Sequence, residues 1–317
     1  MEAAIANLIS PGDSVLTIIQ GKFSERWLEL VKVYKGNPIE LHIEWGKAVL
    51  PDDIKPILEK NKDIKFICFC HNETSTGVLN PGKEIGKIAR EYGKILIADC
   101  VTSAGGDYVF PDEFNFDIAV SGSQKCIGIP PGLGMISLNQ RAWNIINNRK
   151  DIIAYYFDLR KYRDNYQKNL ETPFTPAISL FYALQEALTM IFEEGFEERV
   201  KRHRLMGKAL RAGIKALGLK LFADENYASN TVTSVSYPPT INDSEFRKKV
   251  KEYGILISGG QDKVKGKIFR IAHMNMCDKK DILMILSIIE LCLKELNYPL
   301  DHGSGVAAAQ NIFLNNK

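Results

Sequence analysis

Lys125 closes the run Ser121-Gly122-Ser123-Gln124-Lys125, a loop of small and hydroxyl-bearing residues, and upstream the apolar run Ile95-Leu96-Ile97-Ala98 ends on Asp99. A lysine amine buried in such a loop has a depressed pKa and becomes a nucleophile toward carbonyl carbon. A carboxylate at the end of a buried strand is costly unless something cationic meets it. Together they are what pyridoxal phosphate asks of a protein: an amine to form a Schiff base with its aldehyde, and an acid to keep the pyridine nitrogen protonated so that the ring draws electrons. The plain alternatives are a solvated surface lysine and a helix-capping aspartate. What favours the chemical reading is the setting of Lys125, after a strand at 117–121 and before the rigid turn Ile129-Pro130-Pro131-Gly132.

Other residues fit beside this pair. The polar run His71-Asn72-Glu73-Thr74-Ser75-Thr76-Gly77 follows another strand, and is either a capped turn or a set of donors to a ligand. The small-residue loop Val101-Thr102-Ser103-Ala104-Gly105-Gly106 is a similar surface. Arg270, in the apolar run Ile268-Phe269-Arg270-Ile271, is either half of an interior ion pair or a fork for a substrate carboxylate, which a guanidinium grips with two parallel hydrogen bonds. His273, close by in sequence, reads as a packing histidine that could assist.

These residues need a scaffold. The chain has 317 residues, 45% hydrophobic and 25% charged, enough for a large core and a prior for two domains. Up to about residue 140, short Ile- and Val-rich runs at 14–20, 39–43, 65–71, 94–99, 117–121 and 134–138 alternate with helical patterns at 25–33, 53–61 and 81–91. The alternation predicts an α/β fold with a mostly parallel sheet wrapped by helices, in which ligands lie at the carboxyl ends of the strands. Asn80 reads as the cap of the third helix, with Pro81 at its first position. Two long helices follow at 177–194 and 196–217, separated by Gly195. Strands at 231–236, 255–257 and 267–271 with helices at 243–253 and 279–296 predict a smaller α+β domain. The division expected is 1–195, 196–296 and a loosely packed tail at 297–317.

The balance of 41 basic against 38 acidic residues, a net charge of +3, gives no electrostatic footprint for nucleic acid. Lys201-Arg202-His203-Arg204 and Arg247-Lys248-Lys249 lie in helical patterns and read as solvated faces. The six cysteines lie mostly in apolar runs with no second Cys or His pair at zinc spacing, so no metal is expected and a reducing compartment is. The N-terminus lacks the positive region of a signal peptide, and the most apolar stretch, 282–293, is too short to span a bilayer. A cytoplasmic protein without a membrane partner is expected.

Taken together, these strings closely resemble the class V aminotransferases of pyridoxal phosphate fold type I, in particular the serine–pyruvate and alanine–glyoxylate group. The resemblance runs from residue 1 to about 296 and is strongest at 71–81, 121–132, 172–180 and 259–273. It implies Lys125 as the Schiff-base lysine, Asp99 as partner of the pyridine nitrogen, and Thr74 as donor near the ring hydroxyl. Phe23, in Gly21-Lys22-Phe23-Ser24-Glu25-Arg26-Trp27, matches the aromatic that stacks on the ring, Gln124 a phosphate contact, and Arg270 the carboxylate fork. Thr175 matches a phosphate contact given to the neighbouring subunit, so a homodimer with shared active sites is implied. The implied reaction is ping-pong transamination between a small amino acid (serine, alanine or aspartate) and a 2-oxo acid (pyruvate or glyoxylate).

Departures are modest. Cys126 stands where alanine is usual, Thr172 where some members place tyrosine, and Ala272 and Asn275 replace glycines around His273. Family members also carry several tens of residues before the point matching Met1, including a Ser-Gly-Thr-like loop that cradles the cofactor phosphate at a helix N-terminus. A shortened chain, from either a start assigned too far downstream or a true truncation, is therefore expected. The rival readings are a related lyase such as a cysteine desulfurase, whose relatives place histidine where Gln124 stands, and a non-catalytic subunit that keeps the fold. A nicotinamide enzyme is disfavoured because no strand leads into a Gly-x-Gly-x-x-Gly loop.

Overall fold

The structure is a computed structural model that describes residues 1–316. In chain order the N-terminal part runs α1 (Glu2–Leu8), β1 (Ser14–Ile19), α2 (Lys22–Val33), β2 (Asn37–His42), α3 (Pro51–Lys60), β3 (Ile64–Cys70), β4 (Asn72–Glu73), β5 (Val78–Leu79), α4 (Gly82–Glu91), β6 (Ile95–Asp99), β7 (Ile118–Gly122), β8 (Gly134–Leu138), α5 (Gln140–Asn148), α6 (Leu159–Asn169) and α7 (Ile178–Glu194). The C-terminal part follows with α8 (Phe196–Ala216), β9 (Lys220–Leu221), β10 (Val232–Ser236), α9 (Asp243–Glu252), β11 (Ser258–Gly259), β12 (Ile268–Ala272), α10 (Lys279–Glu295) and α11 (Ser304–Asn315).

The large sheet has the order β2-β1-β3-β6-β7-β8, parallel throughout except for the antiparallel edge strand β8. Both of its faces are covered, which is why its central strands carry apolar residues on both faces instead of strictly alternating with polar ones. Phe66, Cys68 and Cys70 of β3 pack with Ile5, Trp27 and Ile146 on the side of α1, α2 and α5. Ile67 and Phe69, one residue out of step, pack with Ile54, Leu58 and Ile85 on the side of α3 and α4. The parallel register leaves the ends of β3, β6 and β7 side by side, and those ends carry the loops from Cys70, Asp99 and Gly122 onward.

The second unit is an antiparallel sheet, β11-β12-β10-β9, whose core joins Val235 and Phe269 to Leu210, Phe246, Leu286 and Leu293 of the helices. Three local expectations change. No strand forms at 255–257; Ile255 and Ile257 serve as partly buried packing, and pairing with Arg270 and Phe269 begins at Ser258. Asn80 does not cap α4, because its side chain turns inward, accepting from the Val49 amide at 3.0 Å and donating to the Cys70 carbonyl at 2.7 Å, so Pro81 takes the cap position. The tail is not loose: α11 packs on α8 and α10 and buries Ala309 and Phe313, an apolar stripe four residues apart on one helix face.

Candidate active site

At the carboxyl ends of β6 and β7 lies a cavity of about 520 Å3 whose walls include Phe23, Thr74, Asp99, Ser121, Gln124 and Lys125. Lys125 follows the end of β7 in a tight turn, its carbonyl accepting from the Gly128 amide at 2.9 Å. Burial, and then the nearby positive charge of Arg270, hold its amine below the ordinary lysine pKa. Among the described residues the amine has no hydrogen-bond or ion-pair partner.

Asp99 is 5% exposed at the end of β6. It accepts from the Val101 amide at 2.9 Å and from the Cys70 thiol at 3.6 Å, and among the described residues no lysine, arginine or histidine pairs with it. Burial therefore pushes its carboxyl up to about 6. Ser121 adds a buried hydroxyl that has no partner among the described residues. Unpaired amine, buried carboxylate without an ion-pair partner and orphaned hydroxyl make an incomplete polar set, costly to leave so without a ligand. A group with an aldehyde for the amine and a ring nitrogen for the carboxylate completes it, so the residues fit pyridoxal phosphate.

The other predicted residues are placed as follows. Phe23, in the first turn of α2, reaches the cavity because Trp27, one turn on, is buried with its indole nitrogen donating to the Phe69 carbonyl at 3.2 Å. Thr74 Oγ1 lies 2.5 Å from Thr102 Oγ1, joining two of the small-residue loops. Gln124 is exposed at the rim. Arg270 comes from β12 of the second unit and has no carboxylate partner among the described residues. Its guanidinium donates to the Gly259 carbonyl through Nε at 3.1 Å and Nη2 at 2.9 Å, and to the Thr74 carbonyl through Nη1 at 3.1 Å. Three of its five N–H groups are thereby used, leaving one on each terminal nitrogen for a ligand. Thr175 is not brought to this cavity; it lies in a separate, open groove walled by Leu170, Phe174, Ile178, Phe181 and Leu188.

Neither histidine joins the chemistry. His71 turns away into an aromatic cluster with Phe69, Phe114 and Phe116, its Nδ1 2.9 Å from Ser103 Oγ, and burial lowers its pKa to about 4. His273 is fully buried with Nε2 2.9 Å from Thr233 Oγ1, and burial lowers it to about 3, a packing histidine. The thiol of Cys126, beside the lysine, donates to the Thr102 carbonyl at 3.2 Å and is pushed up to about 12 by burial, hence inert.

Two contributors were not singled out by the sequence. Arg199, 3% exposed in α8, donates to the Gly105 carbonyl at 2.8 Å, the Cys126 carbonyl at 2.9 Å and Glu194 at 2.9 Å. It thus pins the loop just after Lys125 from the neighbouring unit. The basic run beside it is only partly a solvated face, since Arg202 also bonds Glu194 and His203 is buried. Glu73 is fully buried and bonds four donors around the start of α2.

The sequence model of the family described as aminotransferase class-V matches residues 1–281. An uncharacterized aminotransferase of Methanocaldococcus jannaschii is 47% identical over 315 residues, spanning 99% of this chain and 82% of that protein. The serine–glyoxylate aminotransferase of Arabidopsis thaliana is 36% identical over 316 residues, spanning 97% of this chain and 78% of that one. The crystal structure of pyridoxamine–pyruvate aminotransferase from Mesorhizobium loti matches with a TM-score of 0.96 at 30% identity, covering 100% of this chain and 82% of that one.

Proposed function

The chain belongs to the class V aminotransferases, enzymes that depend on pyridoxal phosphate, and from that premise we propose how its own residues divide the work. The reaction is exchange of an amino group between a small amino acid (serine, alanine or aspartate) and a 2-oxo acid (pyruvate or glyoxylate). The names of relatives that act on serine or on aspartate with glyoxylate support substrates of this size, and that of one that uses pyruvate supports the 2-oxo acid. The observation that carries the assignment is the unpaired Lys125 amine facing the same cavity as the buried Asp99, which has no ion-pair partner among the described residues.

Bound pyridoxal phosphate supplies an aldehyde that takes the amino group and a ring that accepts the electrons released when the substrate α-proton leaves. Of the residues that line the cavity, Asp99 would hold a proton on the cofactor's ring nitrogen, and Phe23, Thr74 and Gln124 would hold its ring, hydroxyl and phosphate respectively. Arg270 binds the substrate carboxylate through its two remaining N–H groups. Lys125, its amine made easier to deprotonate by burial and by Arg270, carries the proton to and from the α-carbon. Because both substrates need the same arginine, the first product leaves before the second substrate enters, which gives ping-pong kinetics.

We further infer a homodimer in which Thr175 contacts the neighbour's phosphate. Exposed Ile178, Phe181, Tyr182 and Phe192 on α7 support it, since an apolar face of that extent is unusual on a monomer. No helix among the described residues is long and apolar enough to cross a membrane, and the free, buried thiols of Cys68, Cys70 and Cys100 fit the reducing cytoplasm.

The test is to add pyridoxal phosphate to the purified chain, reduce with borohydride and map the peptides. A pyridoxyl group fixed on Lys125, and absent from the Lys125→Ala chain, is the expected result. Labelling spread over surface lysines, unchanged in that variant, would refute the assignment.

A further inference from the structure

Glu73 has no role in the reaction described, yet it is fully buried at the edge of the cavity, beside Thr74. All four hydrogen bonds of its carboxylate among the described residues are accepted. The Phe23 amide donates at 3.3 Å, the Ser24 amide at 2.8 Å, the Ser75 amide at 3.1 Å and the Ser75 hydroxyl at 2.6 Å. The Ser75 hydroxyl in turn accepts from the Lys22 amide at 2.9 Å. The first three amides of α2 are therefore all satisfied from the β4–β5 hairpin and not from their own cap, because the N-cap residue is Gly21, which has no side chain. Nor could Gly21 be larger, since a Cβ there would overlap the Cγ and Cδ of Glu73.

The connection continues on the other side. Thr74, the next residue, gives its carbonyl to Arg270 and its hydroxyl to Thr102. A single carboxylate thus joins the helix start that bears Phe23 to the loop that bears Thr74 and steadies Arg270. We propose that Glu73 is a positioning residue, a cap supplied from outside the helix that fixes the Phe23 ring and the Arg270 fork at a set separation across the cavity. This rests on the reading that Phe23 covers the cofactor ring and Arg270 takes the substrate carboxylate.

The molecule carries its own control. Glu290, 1% exposed, accepts from the amides of Gly303, Gly305 and Val306 at 2.9, 2.8 and 3.2 Å, capping α11 where the N-cap is again a glycine, Gly303. The chemistry is the same, but it lies in the core of the second unit, outside the cavity.

The experiment compares wild type, Glu73→Gln, Glu290→Gln and the milder Ser75→Ala. Glu73→Gln puts an amide N–H where an acceptor is needed. It should weaken pyridoxal phosphate binding in equilibrium dialysis roughly tenfold and raise KM for the amino donor by a similar factor. It should also diminish the visible circular dichroism that an asymmetrically held cofactor acquires. Ser75→Ala should shift each in the same direction by less. Glu290→Gln should lower the unfolding midpoint without moving cofactor affinity, KM or visible dichroism. Equal effects of Glu73→Gln and Glu290→Gln on those three readouts would overturn the proposal. Should the wild type take up no cofactor, the functional reading fails separately. Hydrogen exchange of the peptide spanning residues 19–27 then decides, faster exchange in Glu73→Gln being expected and unchanged protection overturning the clamp.

Discussion

Asp99, the residue proposed to hold the ring-nitrogen proton, stands out by the penalty its burial carries. With its carboxyl raised from an ordinary 3.8 to about 6 by burial, the folded chain without cofactor holds this proton more tightly than the unfolded chain does. Stability from this group therefore falls as pH rises from about 4 to 6, and above that range the penalty stands in full, on the order of 3 kcal/mol. Asp99→Asn should accordingly be more stable than wild type without cofactor at pH 7.5, by roughly 1–3 kcal/mol. The gap should close as pH falls from 6 toward 4. Urea unfolding of both proteins across that range measures it, and a variant less stable than wild type at pH 7.5 would mean that the carboxylate has a favourable partner. With pyridoxal phosphate added the order should reverse. Asp99 and Lys125 were legible in sequence because an acid ending an apolar strand and a lysine in a small-residue loop both break local rules. Glu73 was visible only as one member of a polar run, since nothing in a sequence says which backbone amides a carboxylate will meet.

At the scale of elements, the large sheet was legible strand by strand, because strands buried on both faces read as unbroken apolar runs. What escaped was tertiary choice: Asn80 spending its amide on Val49 and Cys70, the pairing at Ser258 in place of 255–257, and α11 folding from a stretch that begins with two glycines. Helix α8 hid Arg199 for the same reason, as its partners are carbonyls in loops nearly a hundred and more than seventy positions earlier. Arg199→Ala leaves the Gly105 and Cys126 carbonyls unpaired while Glu194 keeps Arg202, so a loss of about 3 kcal/mol is expected. Arg199→Lys, which can reach one carbonyl but not both, should recover only part of it. Urea midpoints of the three chains check this; an alanine variant as stable as wild type would show that water replaces the arginine.

For the whole molecule, the sequence predicted two units but could not say which surfaces stay bare. Helix α7 buries only Ile191 fully among its 17 residues, and Phe192 is 76% exposed. If that face joins two chains and Thr175 serves the neighbour, two damaged chains can repair one another. A Lys125→Ala chain paired with a Thr175→Ala chain forms one site with both defects and one with neither. Mixing the two inactive or weakened proteins under refolding conditions should therefore restore activity to about that of one intact site in every mixed dimer. Activity no higher than the sum of the two parents would show that Thr175 does not act across a subunit boundary.

The two arginines of the C-terminal unit, Arg199 and Arg270, both end on carbonyl oxygens of loops that belong to the N-terminal one, those of Gly105 and Cys126 and of Thr74. The units are thus not interchangeable modules. A recombination that joined this large unit to a foreign partner lacking guanidinium groups at those two points would preserve both hydrophobic cores and still leave the loop after Lys125 without its guanidinium anchor.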